Sequence, residues 1–383
     1  MKILVPHPRI SYCTGGGEKY PMDAIYFMAK NNPSLKFIIL TTEQSNNKSD
    51  IYLQFVQNVS LLDNIKIIEL AIPENFSYLY KIPPGKDRFR WDIESFYFGN
   101  LVLNFIKKNE IKSDIVWSYY LPDFPFKIEG IKTVLNLLGY PKNRAEYREA
   151  LISQYDLVVP INLNTVNKWN EVLDIKIKKY TMLRLGINKE LDIGIKYINK
   201  TYNSFDILFV GRLIERKGIL GLCGVVKNLS LEFPNIVLHI CGEGLLETQI
   251  KMFIKNNILD KNIILYGFKK NINSFYLDAD VCVFPSNTGE GQMSTVLEAM
   301  YFNGNVITTT HNGNEEYIID GENGFLVDSK DWNRLENILR YQIDNKTDIV
   351  KIKEKAKAVV KNNTWEQYEN NFIKICKTLM KES

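Results

Sequence analysis

The sequence predicts an α/β protein with two doubly wound parallel sheets. Short runs rich in Val, Ile and Leu alternate with segments of helical period along the chain, a pattern typical of parallel sheets covered by helices. One polar, poorly periodic stretch at residues 189–203 interrupts the alternation. Because 383 residues suit about two domains of ordinary size, we expect two cores joined by a linker.

Six apolar runs before the linker are predicted to be strands. They cover residues 2–6, 36–41, 65–70, 114–117, 133–137 and 157–161. Together they predict an N-terminal domain over residues 1–190.

Five further runs follow the linker, each leading into a helical pattern. They cover residues 206–210, 236–241, 262–266, 281–285 and 306–309, which predicts a second doubly wound domain over residues 204–364. Near the C-terminus, apolar residues recur at spacings of three and four. We therefore expect residues 365–383 to form a helix that docks on a domain. The apolar positions are Trp365, Tyr368, Phe372, Ile375 and Leu379.

Composition and charge exclude several classes of protein. The chain is 45% hydrophobic and 24% charged, which excludes a disordered or disulfide-scaffold chain. A net charge of +4 is too small for a dedicated nucleic-acid binder, so we expect no nucleic-acid partner. Anionic small molecules stay open as ligands.

Cysteine and histidine usage bears on compartment and metals. Five scattered cysteines in mostly apolar surroundings predict buried thiols in a reducing compartment. The three histidines lie far apart and no CxxC pair occurs, so no metal site is predicted. With no apolar run long enough for a membrane span, we expect a cytoplasmic protein. A peripheral contact with the inner face of the membrane stays open.

Chemistry is expected in the loops after the strands, because open α/β sheets bind ligands at the carboxyl ends of their strands. Three consecutive glycines, Gly15, Gly16 and Gly17, follow the first strand. They permit close backbone approach to a ligand, although a flexible turn explains them equally well. The chain contains neither GxGxxG nor GxxxxGK[ST], so dinucleotide and P-loop assignments have no support.

Charged residues follow two strands of the second domain. Arg212 and Lys217 suit one diphosphate, with a solvated charged loop as the alternative. Glu290 and Glu298 are eight residues apart. If a helix begins near Met293, both carboxylates face one pocket with free backbone N–H groups between them. Hydroxyl-rich sugars need such acceptors, and a diphosphate needs the cations and the N–H groups, so the arrangement suits a sugar nucleotide.

Several motifs in order make the second half resemble the nucleotide-binding half of family 4 glycosyltransferases, which are retaining enzymes with the GT-B fold of two Rossmann-like domains facing a cleft. The resemblance covers roughly residues 205–328. It extends loosely to the glycine run and to residues 184–188 of the first half. The motifs are FVGR at 209–212, KG at 217–218, CGEG at 241–244, YGF at 266–268, the Glu290/Glu298 pair with EAM at 298–300, NEE at 314–316, DG at 320–321 and GFLV at 324–327.

The resemblance implies roles for particular residues. Arg212 and Lys217 would hold the donor diphosphate and stabilise the departing nucleotide. Glu298 would accept hydrogen bonds from ribose hydroxyls, and Glu290 would meet the transferred sugar. The base would lie near residues 267–269, and the active site would be the cleft between the domains. The other implied donor-binding residues are Gly16, Gly17, Gly242, Phe268, Lys269, Ser294, Thr295, Val296 and Leu297.

The implied reaction is transfer of a hexosyl residue to a hydroxyl of a glycan or lipid-linked acceptor. The donor is a nucleotide diphosphate sugar of the UDP or GDP type, with no cofactor and no metal. Acceptor contacts are expected from residues 78–98, which are rich in aromatic and basic side chains. Lys176, Lys178 and Lys179 predict a solvated segment, with an anionic membrane surface as the alternative.

The chain departs from the family pattern at two places. Residues 133–141 lack the histidine that many members carry near the sugar, and Asn136 or a main-chain group would replace it. Met293 stands where a second glycine is common. Two other features are given structural interpretations: Asp278 and Asp280 as a helix-to-strand turn, and His239 as a packed core residue.

Two other functions stay open at this point. A GT-B sugar-nucleotide epimerase would use the same diphosphate site but needs acids and bases that this histidine-poor first half does not visibly supply. A catalytically silent sugar-nucleotide-binding subunit of a glycan assembly complex would bind the donor without turnover.

Overall fold

The computed structural model divides the chain into two units. One comprises Met1–Gly186 with Trp365–Ser383, and the other comprises Ile187–Thr364. The change of unit thus comes slightly before the predicted domain end at residue 190. The structure describes residues 1–13, 15–43, 48–71, 88–119, 127–141, 152–173, 176–189, 204–269, 271–287, 292–310, 313–345 and 349–382, and within 88–93 only the backbone.

The first unit contains a parallel sheet of six strands in the order β3-β2-β1-β4-β5-β6. Five strands of the sheet are almost wholly buried along their length, as a parallel sheet with helices on both faces requires. All six strands were predicted, with ends that differ by up to two residues. They are β1 (Lys2–Pro6), β2 (Lys36–Thr42), β3 (Ile65–Leu70), β4 (Ile115–Tyr119), β5 (Lys132–Leu137) and β6 (Leu157–Pro160).

Helices cover this sheet, and the C-terminal helix returns to the same unit. Its Trp365 ring lies 5.2 Å from the ring of Tyr20, and its Phe372 ring lies 4.3 Å from the ring of Trp117. The predicted apolar face is therefore the docking face. The helices of this unit are α1 (Gly16–Asn31), α2 (Asp50–Val59), α3 (Arg88–Lys108), α4 (Leu163–Val172) and, from the C-terminus, α11 (Trp365–Lys381).

The second unit repeats the architecture with strand order β12-β11-β10-β7-β8-β9, again all parallel. The short edge strand β12 was not predicted, because three residues are too few to display a periodic pattern. The strands are β7 (Phe205–Val210), β8 (Ile236–Cys241), β9 (Ile263–Gly267), β10 (Val281–Phe284), β11 (Val306–Thr309) and β12 (Phe325–Val327).

The helices of the second unit enclose one apolar core that includes Ile207, Leu238 and Val283. No described helix of the chain is both long and apolar enough to cross a bilayer. The helices are α5 (Ile219–Ser230), α6 (Glu247–Asn257), α7 (Asn273–Asp278), α8 (Ser294–Phe302), α9 (Trp332–Asp344) and α10 (Ile349–Val360).

A buried polar cluster joins the amino ends of β7 and β10. The Asp206 N–H donates to the Asp280 carboxylate and the Asp280 N–H donates to the Asp206 carbonyl, each at 2.8 Å. His239 Nε2 lies 2.9 Å from Asp206 Oδ1, and the imidazole is almost fully buried. Asp278 ends α7 and Asp280 directly precedes β10. The predicted helix-to-strand turn and the predicted core position of His239 are therefore confirmed.

Two glycines of α5 differ in what surrounds them. A Cβ at Gly221 would lie 2.1 Å from Cζ2 of Trp332, whereas a Cβ at Gly224 would meet nothing within 4 Å. Gly221 lets the Trp332 ring pack directly on the helix backbone. Gly224 has no such packing role.

These two positions form a matched test of the packing in the second unit. We expect Gly221→Ala to lower the free energy of unfolding by about 1–3 kcal/mol through overpacking. Gly224→Ala is expected to raise it by about 0.5–1 kcal/mol, because alanine loses less backbone entropy in a helix. Urea denaturation followed by circular dichroism measures both. Equal effects of the two variants would contradict the packing.

Candidate functional site

The order of strands in the second sheet reverses between β7 and β10. At such a switch point the loops that follow the two strands leave in opposite directions and open a crevice. The loop after β7 carries Arg212 and Lys217, and the loop after β10 leads to α8. The topology therefore places the predicted cations beside the predicted helix N-terminus.

The loop after β7 is held by main-chain contacts to the loop after β8. The Gly211 N–H donates to the Cys241 carbonyl (3.0 Å) and the Leu213 N–H donates to the Glu243 carbonyl (2.8 Å). The Leu213 side chain is buried in the core while its neighbour Arg212 is exposed. The guanidinium is thereby presented to solvent from an anchored backbone.

A short 3-10 turn over Glu215–Lys217 brings Lys217 back toward the loop after β10. Gly218 ends the turn at φ +69°, in the left-handed region that glycine tolerates. A Cβ at Gly218 would lie 2.1 Å from the Pro285 carbonyl oxygen. Glycine is therefore needed at this position both for conformation and for space.

Polar contacts join the two loops. The Asn287 N–H donates to the Arg216 carbonyl at 2.7 Å. Lys217 Nζ lies 3.6 Å from Met293 Sδ, which is also 3.3 Å from Ser286 Oγ. Thioether sulfur is only a weak acceptor, so the ammonium of Lys217 keeps the capacity to bind a stronger acceptor at the same place.

Helix α8 begins beside this lysine. Its N-cap, Met293, makes no side-chain capping hydrogen bond. The N–H groups of Val296 and Leu297 point to the Met293 carbonyl at 3.1 and 3.4 Å. Ser294 and Thr295 occupy the first two positions, whose N–H groups have no partner inside a helix. Of the four predicted main-chain donors, Ser294 and Thr295 therefore have the geometry best suited to an anion.

Glu298 lies on the same helix and receives a hydrogen bond from α7. Tyr276 Oη donates to Glu298 Oε2 at 3.0 Å. Burial, and then the charge of Glu298, raise the pKa of Tyr276 well above its usual value, so the phenol remains a neutral donor. The pair was not predicted, because no local pattern connects residues 22 positions apart.

The remaining predicted residues of this unit lie after β8 and β9. Gly242 has φ +148°, and a Cβ there would lie 1.9 Å from the Gly211 carbonyl oxygen, so the two strand-end loops touch through their backbones. Phe268 is 55% exposed, and its N–H donates to Glu243 Oε1 at 3.2 Å. Next to it, Lys269 is half-buried and near Cys241, whose pKa burial raises to about 12 although the Lys269 charge opposes the rise.

In the first unit, the glycine run forms the start of α1. Gly15 is the N-cap, and Gly16 and Gly17 are the first two helical residues. A Cβ at Gly15 would lie 2.6 Å from Glu18 Oε2, whereas a Cβ at Gly16 would meet nothing within 4 Å. The glutamate folds back over Gly15 and the space beside Gly16 is open.

A buried ion pair anchors the loop between β1 and α1. Arg9 Nη1 lies 3.1 Å from Glu94 Oε2 of α3, and the side chains are 0% and 1% exposed. Tyr12 Oη donates to the other oxygen of Glu94 at 2.5 Å. The loop that carries the glycine run is therefore attached to a helix far away in sequence.

Some predicted positions lie outside the described residues. They include Glu290 and the part of the proposed acceptor region at 78–87, while residues 88–93 are described only by their backbone. Asn136, at the place of the missing histidine, is fully buried and donates to the Val159 carbonyl at 2.6 Å. Within the described ranges, no group of three or more His, Cys, Asp or Glu side chains has the geometry to hold a metal ion.

The Tyr276–Glu298 bond can be tested by a double-mutant cycle. We expect Tyr276→Phe to lower the free energy of unfolding by about 1–3 kcal/mol, because it removes a donor from a half-buried carboxylate. The loss should shrink in a Glu298→Ala background, where that acceptor is absent. Urea unfolding of the four proteins gives the coupling energy, and a coupling energy of zero would show that the bond does not form.

Comparison with known proteins finds a family match in the second half of the chain. Residues 195–366 match the family described as glycosyl transferases group 1. The amylovoran biosynthesis glycosyltransferase AmsK of Erwinia amylovora is 28% identical over 223 residues, which are 55% of this chain and 53% of that protein. An uncharacterized glycosyltransferase of Methanocaldococcus jannaschii is 35% identical over 195 residues, 51% of this chain and 47% of that protein. The chain thus spans about half the length of the curated relatives it matches.

The fold is similar to that of solved structures. The crystal structure of Anabaena HepE in complex with UDP superposes with a TM-score of 0.73 at 15% identity and covers 99% of this chain and 100% of that one. At 15% identity this similarity shows the fold alone. The two doubly wound units of this chain are those of the GT-B fold. The similarity to the glycosyl transferases group 1 family covers residues 195–366, somewhat less than half of this GT-B chain.

Proposed function

We propose that this chain is a retaining glycosyltransferase. It moves a hexosyl residue from a nucleotide diphosphate sugar to a hydroxyl of a glycan or lipid-linked acceptor. The proposal rests on the position of Lys217 beside the N-terminus of α8, where Lys217 Nζ lies 3.6 Å from Sδ of the N-cap residue Met293. A cation and free helix N–H groups at one point form a binding site for a diphosphate.

Each part of the donor is assigned to residues around this point. Lys217 and Arg212 hold the diphosphate, and the N–H groups of Ser294 and Thr295 cap its distal phosphate. Glu298, oriented by Tyr276, accepts from the ribose hydroxyls. The base lies near Phe268 and Lys269. Glu290 meets the sugar, by resemblance to the family.

The relatives support this choice of substrates. AmsK is named for the biosynthesis of amylovoran, and the HepE structure holds UDP. The M. jannaschii relative is a glycosyltransferase of unstated substrate. A uridine or guanosine diphosphate sugar is therefore the donor class to try first, with a saccharide acceptor.

The reaction follows from where the diphosphate is held. As the bond between the anomeric carbon and the diphosphate oxygen breaks, negative charge grows on the leaving group. Lys217, Arg212 and the helix N–H groups stabilise that charge, which lowers the barrier because the contacts strengthen in the transition state. The acceptor oxygen forms its bond to the anomeric carbon from the same face and passes its proton to the diphosphate. No separate base and no metal ion are needed.

Replacing Lys217 tests the assignment. We expect Lys217→Ala to reduce kcat for donor turnover by about 100- to 1,000-fold, the effect of removing one transition-state donor, about 2.7–4 kcal/mol. The measurement is release of nucleoside diphosphate from a panel of UDP- and GDP-sugars. Lys227→Ala is the matched control, because it removes the same charge from an exposed position on α5.

The same assay separates the proposal from its competitors. Wild-type turnover in folded Lys217→Ala protein would remove the proposed role of the lysine. Conversion of the donor into a different nucleotide sugar would indicate an epimerase. Tight binding without any turnover would indicate a silent subunit.

Metal removal is a second test. Asp280 already accepts the Asp206 N–H and lies at the amino end of β10, opposite the strand end that carries the cations. We therefore expect activity in excess EDTA to stay within about twofold of that in buffer. For comparison, a tenfold loss of rate corresponds to about 1.4 kcal/mol of activation free energy. Complete inhibition that added Mn²⁺ reverses would contradict metal independence.

A further inference from the structure

Helix α1 contains a proline that removes one of its own hydrogen bonds. Pro21 lies inside Gly16–Asn31. In an α-helix the N–H of residue 21 would donate to the carbonyl of residue 17, but proline has no N–H. The Gly17 carbonyl, in the glycine run, therefore lacks its helical donor.

A histidine from the end of β1 takes the place of that donor. His7 Nε2 lies 3.1 Å from the Gly17 carbonyl oxygen. Because a carbonyl only accepts, Nε2 must carry the proton. The backbone of His7 is itself fixed, since its N–H donates to the Leu40 carbonyl of β2 at 2.9 Å.

The protonation of His7 agrees with this geometry. The side chain is fully buried, and burial, followed by the nearby charge of Arg9, lowers its pKa to about 3. The ring is neutral at physiological pH and has one N–H to give. Among the residues that the structure describes, Nδ1 has no hydrogen-bond partner. This agrees with the tautomer in which Nδ1 is unprotonated and Nε2 carries the proton.

The consequence is a peptide group held at both ends. The carbonyl of the Gly17–Glu18 peptide accepts from His7, and its N–H donates to the Gly15 carbonyl at 3.2 Å. This peptide closes the glycine turn, 15–18. Beside it, the space at Gly16 is open.

We propose that His7 is a positioning residue, which replaces the hydrogen bond that Pro21 removes and so holds the glycine turn in the conformation that receives the donor. That the turn's ligand is a nucleotide sugar rests on the function proposed above. The positioning itself rests only on the His7, Gly17 and Pro21 geometry. The two claims are therefore tested by separate measurements.

The decisive experiment uses Pro21→Ala as a rescue. In His7→Leu, the Gly17 carbonyl loses its donor, and hydrogen exchange at the Glu18 and Lys19 amides should accelerate at least tenfold. In the double variant, Pro21→Ala supplies the backbone N–H that the helix lacked, and exchange should return to within about twofold of wild type, well under the tenfold equivalent to 1.4 kcal/mol. His7→Gln, which retains a side-chain N–H donor, should exchange nearly as slowly as wild type.

Exchange that is unchanged in His7→Leu, or that Pro21→Ala does not slow, would overturn the proposal. Should His7→Leu not fold, His7→Asn provides the same comparison, because its amide is too short to reach Gly17. Mass spectrometry of the peptide spanning the turn reads exchange without any substrate, so this arm stands even if no transfer is found.

A kinetic arm links the turn to the donor. The substrate is the nucleotide sugar that wild-type protein turns over. His7→Leu should raise KM about tenfold and change kcat less. Adding Pro21→Ala to His7→Leu should restore KM. A purely structural role would lower the folded fraction and leave KM unchanged. That result would overturn the link between His7 and donor binding.

Discussion

The hydrogen bond from the Asn287 N–H to the Arg216 carbonyl, 2.7 Å long, joins the two loops on which the candidate site depends. It is a backbone contact, so side-chain identity at either position does not determine it. Next to it, Gly218 lets the chain approach the Pro285 carbonyl closely. With the loops tied in this way, Lys217 has to lie beside Met293 and the start of α8.

The same strand order in both units gives each sheet one switch point. In the first unit it lies between β1 and β4, where the glycine run begins α1, and in the second it lies between β7 and β10. Buried polar contacts brace each sheet: Arg9 with Glu94 behind the glycine loop, and Asp206 with Asp280 at the amino ends of β7 and β10. The loops project from frames that these two buried pairs help to hold rigid.

Much of the fold and part of the candidate site could be predicted from the sequence. The physical reasons for this also explain which contacts could not be predicted. Buried parallel strands require continuous apolar runs, so every predicted strand appears within two residues of its observed ends, and Arg212 and Lys217 fall in a strand-end loop as expected. Pairings across space have no local signal. The Tyr276 bond to Glu298, the Met293 contact of Lys217 and the reach of His7 to Gly17 depend on how separate elements pack. Edge strand β12 was too short to recognise, and Glu290 lies outside the described residues.

The central claim is that the diphosphate, held by Lys217, Arg212 and the start of α8, leaves on the face from which the acceptor enters. The anomeric configuration of fresh product tests this most directly. Proton NMR should be recorded before the product can equilibrate, with the anomeric coupling for a gluco-type sugar or the one-bond carbon–proton coupling for a manno-type sugar. We expect the product to retain the anomeric configuration of the donor. An inverted anomeric centre would contradict it.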